Sequence, residues 1–312
     1  MISHPYSRQL DNLDLIEHFL SVVLKFENSN DTSLLNRIKS SEAELKNYDE
    51  TSFTLYSTTH RHRKYLNHHE RWILRNQIVN ELIELKREVS DEDIDLGKGG
   101  SIPNCTIKKE KQAYIIIGLP ASGKSGIAEK IADEYGAVIL DSDYAKRKLP
   151  EFKDNPAGAT LVHDESDTLI FGYDKKDKPD EFKSLIEICH LNSYNIVIPK
   201  IGHDYNSINS LAKGLKLFGY DTHLILVSLD RRKATKRAVS RFVKTSRYVP
   251  LSLIFDGYGN DPTLSFYRLK DKILIEKSFI DTFGKISTDV DKDQDPLVLY
   301  ADEKSPVCLF KK

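Results

Sequence analysis

Eight consecutive residues, Gly118-Leu119-Pro120-Ala121-Ser122-Gly123-Lys124-Ser125, fill every fixed position of the pattern G-x-x-x-x-G-K-[ST]. The pattern has meaning only between a strand and a helix. Residues 113–117 (Ala-Tyr-Ile-Ile-Ile) supply a short β-branched run before it, and residues 126–132 read as the opening of a helix after it. Glycine lets such a loop curl so that successive backbone N–H groups point inward at a phosphate, and the helix N-terminus adds its positive end. The expected nucleotide site is therefore Gly118, Pro120, Ala121, Ser122, Gly123, Lys124 and Ser125. Lys124 would reach the β- and γ-phosphates, and the Ser125 hydroxyl would ligate Mg²⁺.

The same alternation continues. Apolar runs at 137–140, 194–198 and 222–229 are separated by helical patterns. Apolar strands spaced by helices indicate a parallel sheet covered on both faces, with its active site at the carboxyl ends of the strands. The fold class expected is α/β, a P-loop NTPase/kinase fold with a mostly parallel sheet, preceded by a small all-α helical bundle. Helices are expected over 13–26 (capped by Asp11 or Asn12), after Asp31-Thr32-Ser33, and over 68–88. Between bundle and sheet lie the acidic Asp91-Glu92-Asp93 and then Gly97-Lys98-Gly99-Gly100-Ser101. These read as punctuation with no periodicity. The domain expectation is thus a bundle over 1–90, a flexible linker over 91–104 and a kinase domain over 105–312.

The 312 residues carry a formal charge of −1, which argues against a protein built to coat nucleic acid. No apolar run approaches the roughly 18 residues of a membrane span, and the first ten residues lack the basic and apolar regions of a signal peptide. Three widely spaced cysteines fit free thiols in a reducing cytoplasm. The cluster Thr59-His60-Arg61-His62-Arg63-Lys64 has no metal-ligand spacing and reads as a solvated or interdomain face.

Two further segments carry chemistry. Asp141-Ser142-Asp143 follows the second strand, where phosphoryl transfer needs a carboxylate to orient the acceptor hydroxyl and take its proton. The adjacent Lys146-Arg147-Lys148 reads equally as a phosphate contact or a solvated turn. Residues 230–247 hold eight arginines and lysines. Behind a phosphate loop, such a helix can act as a lid that neutralises the transferring group and excludes water.

Taken in order, Gly118 to Ser125, Asp141-Ser142-Asp143, Leu149-Pro150-Glu151-Phe152, residues 193–198, Phe218-Gly219-Tyr220-Asp221-Thr222 and Ser240-Arg241-Phe242 with Arg247 resemble the zeta toxins. The resemblance covers residues from about 112 to about 250. It implies a kinase that uses ATP and Mg²⁺ to phosphorylate a sugar hydroxyl of UDP-N-acetylglucosamine and so poisons cell-wall synthesis. It implies Lys124 on the donor phosphates, Asp143 as general base, and Arg241 and Arg247 on the transferring phosphoryl group. Where the family carries Glu-Gly-Thr after the third strand, this chain reads Pro199-Lys200-Ile201-Gly202. Lys200, Asp141 and the polar stretch with His163 and Glu165 are the expected acceptor contacts. Zeta toxins pair with a small helical antitoxin, so the N-terminal helices are expected to restrain the kinase in cis. Two alternatives are a polynucleotide 5′-hydroxyl kinase and a nucleotide-gated interaction protein without catalysis.

Overall fold

A computed structural model describes residues 7–46, 48, 50–154, 158–173, 182–272, 278–291 and 294–311. Helices are α1 (Leu13–His18), α2 (Thr32–Leu45), α3 (His68–Glu84), α4 (Lys124–Tyr135), α5 (Ser142–Lys148), α6 (Glu151–Asp154), α7 (Gly158–Leu161), α8 (His163–Phe171), α9 (Leu185–Leu191), α10 (Tyr205–Leu217), α11 (Arg231–Thr245) and α12 (Asp261–Lys272). Strands are β1 (Gln112–Ile117), β2 (Ala137–Ile139), β3 (Asn195–Lys200), β4 (Asp221–Ser228), β5 (Thr282–Ser287) and β6 (Leu297–Ala301). They form one sheet of order β2-β3-β1-β4-β5-β6. The β2–β3 and β4–β5 pairs are parallel, and β6 closes the edge antiparallel to β5. This is the mixed, mostly parallel sheet of a P-loop kinase-like fold. Strands β5 and β6 escaped the sequence reading because Gly284 and Lys285 interrupt the first, and the second exposes Leu297, Leu299 and Tyr300.

The chain divides into two compact units, and the division differs from the expected one. One unit joins Ile2–Ala43, Ala113–Ile127 and Pro199–Lys312; the other joins Glu44–Gln112 and Ala128–Ile198. The N-terminal 90 residues are therefore not one bundle on a tether.

In the first unit, Asn12 caps α1 by accepting from the Leu15 N–H (2.9 Å), and a wide π-turn over Phe19–Val23 extends it. Leu10, Ile16, Phe19, Leu20, Leu24, Leu34, Leu35 and Ile38 form one core with Ala234, Ala238, Val239 and Phe242 of α11, with Leu251, Ile254 and Phe255, and with Leu119. At roughly 1.5–3 kcal/mol per buried apolar side chain, these eight N-terminal residues contribute at most about 12–24 kcal/mol. A fragment beginning at residue 101 would lose that core.

Polar contacts fix the same packing. Arg8 forks onto Asp256 (Nε–Oδ2 2.7 Å, Nη2–Oδ1 2.8 Å), and its guanidinium lies 4.6 Å from the Phe19 ring and 5.0 Å from the Phe255 ring. Arg37 donates to the Phe242 carbonyl (3.0 Å) near the C-terminal end of α11, an oxygen that also accepts the N–H of the cap residue Ser246 (2.9 Å).

In the second unit, α3 packs on α5 and α8 and buries Leu74, Ile78 and Leu82. The expected linker is folded. Asp91–Asp93 forms a 3₁₀ turn, Ile94 is buried, and the Ser101 N–H bonds the Leu82 carbonyl at 2.7 Å. Gly100 is there for close approach rather than freedom, since a Cβ would stand 1.8 Å from the Leu85 carbonyl oxygen. Lys148 supplies what the sequence pattern hid. Its buried ammonium donates to Glu81 (2.7 Å) and to the carbonyls of Asp95 (2.9 Å) and Lys98 (3.0 Å), tying the turn down.

Candidate active site

The phosphate loop belongs to the first unit. It follows β1 directly, and Ala121 (φ 60°) and Gly123 (φ 87°) take the left-handed conformation that curls it. Left-handed backbone costs an alanine on the order of 1–2 kcal/mol, strain of the kind stored at functional sites. Lys124 Nζ donates to the Gly118 carbonyl at 2.8 Å and the Leu119 carbonyl at 2.7 Å, so its charge is folded over the loop. Ser122 is fully buried, and its Oγ has no hydrogen-bond partner among the described residues. Ser125 is exposed in the first turn of α4. At the end of β3 stands half-buried Lys200, and the next carbonyl, Ile201, accepts from the Gly118 N–H at 3.0 Å.

Helix α11 carries the expected Arg241 in this same unit. Asp230 caps it, accepting from the Arg232 and Lys233 N–H groups (2.9 and 3.2 Å). Its apolar face is buried under the N-terminal helices, while Arg241 is half-buried on the helix. Ser246 (φ 59°) ends the helix in a left-handed cap, so Arg247 lies beyond it, on the following segment. Thr288, which has no sequence signature, and Arg237 of the basic segment join the group. Thr288, just after β5, donates to the Ser122 carbonyl (2.6 Å), and Arg237 donates to the Thr288 carbonyl (2.7 Å).

The second unit holds the carboxylates. Asp141 caps α5 by accepting from the Asp143 N–H at 2.9 Å. Burial, then the adjacent charge of Asp143, pushes the Asp141 carboxyl up to about 6. Asp143 is half-buried and pairs with Lys146 at 3.0 Å. Ser142 Oγ donates to Asp167 (2.7 Å), linking α5 to α8. His163 is exposed at the start of α8, within electrostatic range of Asp143, Lys146 and Asp167. The structure thus gathers Asp141, Asp143 and His163, and adds Lys146 and Asp167, into one polar set.

Three expectations need correction. Glu165 does not face an acceptor. It is fully buried, where Arg71 (Nη2–Oε2 2.6 Å), Arg75 (Nε–Oε1 2.7 Å) and Thr54 hold it. Arg71 also forks onto Glu151 (2.7 and 3.2 Å), so Glu165 belongs to a buried ion-pair network, while His163 of the same stretch is exposed. Arg61 is not a solvated face. It is 4% exposed and donates to the carbonyls of Thr54 and Leu55. Arg147 and Lys148 are neither phosphate contacts nor solvated; they are buried against Glu92 (2.9 Å) and Glu81 (2.7 Å).

The family model for zeta toxins matches residues 99–260, more than half of the chain. The chain belongs to the zeta toxin family. Every phosphate-loop residue, the Asp141–Asp143 pair, Arg241 and Arg247 fall inside the zeta toxin match, whereas Thr288 and α1–α3 fall outside it. Comparison with curated proteins gives no match. Among solved structures, a chain of the PezAT chromosomal toxin–antitoxin system of Streptococcus pneumoniae is 13% identical. The match covers 78% of this chain and 86% of that one, with a TM-score of 0.49. A chain of the AvrRxo1-ORF1:-ORF2 complex is 14% identical, with 77% and 68% covered and a TM-score of 0.45.

Proposed function

We propose that this zeta toxin is an ATP-dependent kinase that phosphorylates a sugar hydroxyl of UDP-N-acetylglucosamine in the cytoplasm, as the toxin of a toxin–antitoxin system that blocks cell-wall synthesis. The carrying observation is that a strained phosphate loop with Lys124 folded over it follows one parallel strand, while a capped, charge-paired Asp143 follows another. Those are the two functions phosphoryl transfer asks of a protein, a cradle for the donor and a base for the acceptor.

In this reading Gly118 to Lys124 hold the donor phosphates. The exposed Ser125 hydroxyl at the start of α4 fits a Mg²⁺ ligand, and the ion would neutralise charge between the β- and γ-phosphates. Asp143 accepts the proton of the acceptor hydroxyl. Asp141 orients that carboxylate by capping the same turn, and Lys146 pairs with it at 3.0 Å. His163 and Lys200 contact the acceptor. Arg241 and Arg247 stabilise the charge spread over the transferring oxygens.

The N-terminal helices restrain this activity in cis. The part suited to that role is residues 8–42, which share a core with Leu119 of the phosphate loop and with α11. The rest of the expected bundle, residues 44–90, falls in the other unit.

The test uses the full chain with ATP, Mg²⁺ and a panel of sugar nucleotides, read by mass. A phosphorylated UDP-N-acetylglucosamine is expected. Lys124→Ala should abolish it by weakening the donor, and Asp143→Asn should abolish it while sparing ATP binding. Transfer that survives Asp143→Asn at near-normal rate would show that Asp143 is not the base.

A further inference from the structure

The peptide between Ser122 and Gly123 lies in the phosphate loop, between the left-handed Ala121 and Gly123. A trans peptide is planar, so its C=O and its N–H point in opposite directions. Whatever holds the Ser122 oxygen therefore decides where the Gly123 N–H is aimed. That oxygen accepts a hydrogen bond of 2.6 Å from the Thr288 hydroxyl. Thr288 is itself held from two sides. Its N–H reaches the Ser228 carbonyl at the end of β4 (3.4 Å), and its carbonyl accepts from Arg237 Nη2 (2.7 Å). A turn earlier on the same helix, Lys233 pairs with Asp289 at 2.5 Å, so the segment after β5 is fastened to α11 at two points.

We propose that Thr288 is a positioning residue for the donor site. It holds the Ser122–Gly123 peptide with the oxygen outward, so that the Gly123 N–H turns into the loop, toward where a phosphate sits. Arg237 is the residue that holds Thr288. Arg237 lies one helical turn before Arg241, on the helix that the sequence marks as the arginine carrier. The same strut thus ties the conformation of the phosphate loop to the placement of α11. Donor binding and arginine presentation then respond together, although Arg237 itself touches no phosphate.

This inference rests on the donor-site reading and is independent of which acceptor is used. Its test is therefore binding rather than turnover. ATP and, separately, inorganic pyrophosphate are titrated calorimetrically into the full chain with Mg²⁺. Thr288→Val keeps the shape and removes the donor; losing one hydrogen bond of ordinary strength predicts about fivefold weaker binding of both ligands. Thr288→Ser keeps the hydroxyl and should bind within about twofold of wild type on the same scale. A second probe, the amide resonance of Gly123 in the free protein, should shift in Thr288→Val and return in Thr288→Ser. Arg237→Gln should weaken both ligands by a smaller factor and guards against a Thr288→Val chain that does not fold. Wild-type affinity in Thr288→Val, or an unmoved Gly123 amide, overturns the role of Thr288. Wild-type affinity in Arg237→Gln overturns the role of Arg237. A wild-type chain that binds ATP yet transfers nothing to UDP-N-acetylglucosamine leaves this inference standing and overturns the acceptor. A wild-type chain that binds neither ATP nor pyrophosphate overturns both readings.

Discussion

Replacing Glu165 by glutamine separates two roles that the sequence allows, an acceptor contact and a structural anchor. The carboxylate is fully buried. Burial by itself pushes its pKa up, but hydrogen bonds and charge from Arg71, with Arg75 and Thr54, outweigh burial and hold it down at about 2. Against an ordinary value near 4.5, the depression is worth about 3 kcal/mol, at 1.36 kcal/mol per pH unit. The sign follows from the direction. A depressed carboxylate binds fewer protons folded than unfolded, so its contribution is fully present above about pH 4.5 and is lost as pH falls through about 2.

Glutamine removes the charge and points an NH₂ group at guanidinium donors, leaving Arg71 with Glu151 alone. Breaking a buried pair in this way typically costs about 3–5 kcal/mol. Urea titration of wild type and Glu165→Gln at pH 7 should show that loss, and the difference should shrink as pH drops from about 4.5 toward 2. Whatever folded Glu165→Gln remains should bind acceptor with an unchanged KM. Wild-type stability combined with a raised acceptor KM would refute the reasoning and restore Glu165 to the acceptor site.

Because burial and Asp143 raise the Asp141 carboxyl to about 6, the pair gains its second charge near that pH, and turnover should rise with pH through about 6; Asp141→Asn should move that limb downward, and an unmoved limb would detach it from the pair. The same raised pKa means that this group stabilises the fold below its unfolded pKa, near 4, and loses that contribution as pH rises through about 6. Arg241→Ala should lower turnover by about 10³-fold or more with little change in ATP affinity, and a collapse of affinity at full rate would make Arg241 a ground-state binder. Arg8→Ala removes the fork on Asp256, whose side chain is 14% exposed; if residues 8–42 restrain the kinase, turnover at low ATP should rise by about fivefold, the equivalent of about 1 kcal/mol. Unchanged or lower turnover in Arg8→Ala would make the segment a support rather than a restraint.

The phosphate loop was legible because its chemistry is local. Eight contiguous residues specify a backbone shape, and the flanking apolar run and helix specify its setting. The parallel strands β1 to β4 and the basic helix α11 were legible for the same reason, since their periodicity lies within one short segment. Strand β5 was not, because Thr-Phe-Gly-Lys-Ile-Ser becomes a strand only by pairing with β4, at a sequence distance of about sixty residues. Acidic and glycine-rich residues over 91–101 looked like a tether, yet the Lys148 ammonium and the close approach of Leu85 fold them into a core. A charged run such as Lys146-Arg147-Lys148 carries no mark of which member is solvated; that depended on Asp143, Glu92 and Glu81, brought to it from elsewhere in the chain or one turn away. Glu165 and Thr288 make the point from opposite directions. One looked functional and is consumed by Arg71 and Arg75, while the other looked ordinary and holds a phosphate-loop peptide. Sequence alone determined the segments whose structure is satisfied by their own neighbours. Tertiary structure decided every residue whose role depends on a hydrogen-bond or charge partner far away in the chain, because a buried polar group takes its meaning from what compensates its lost water.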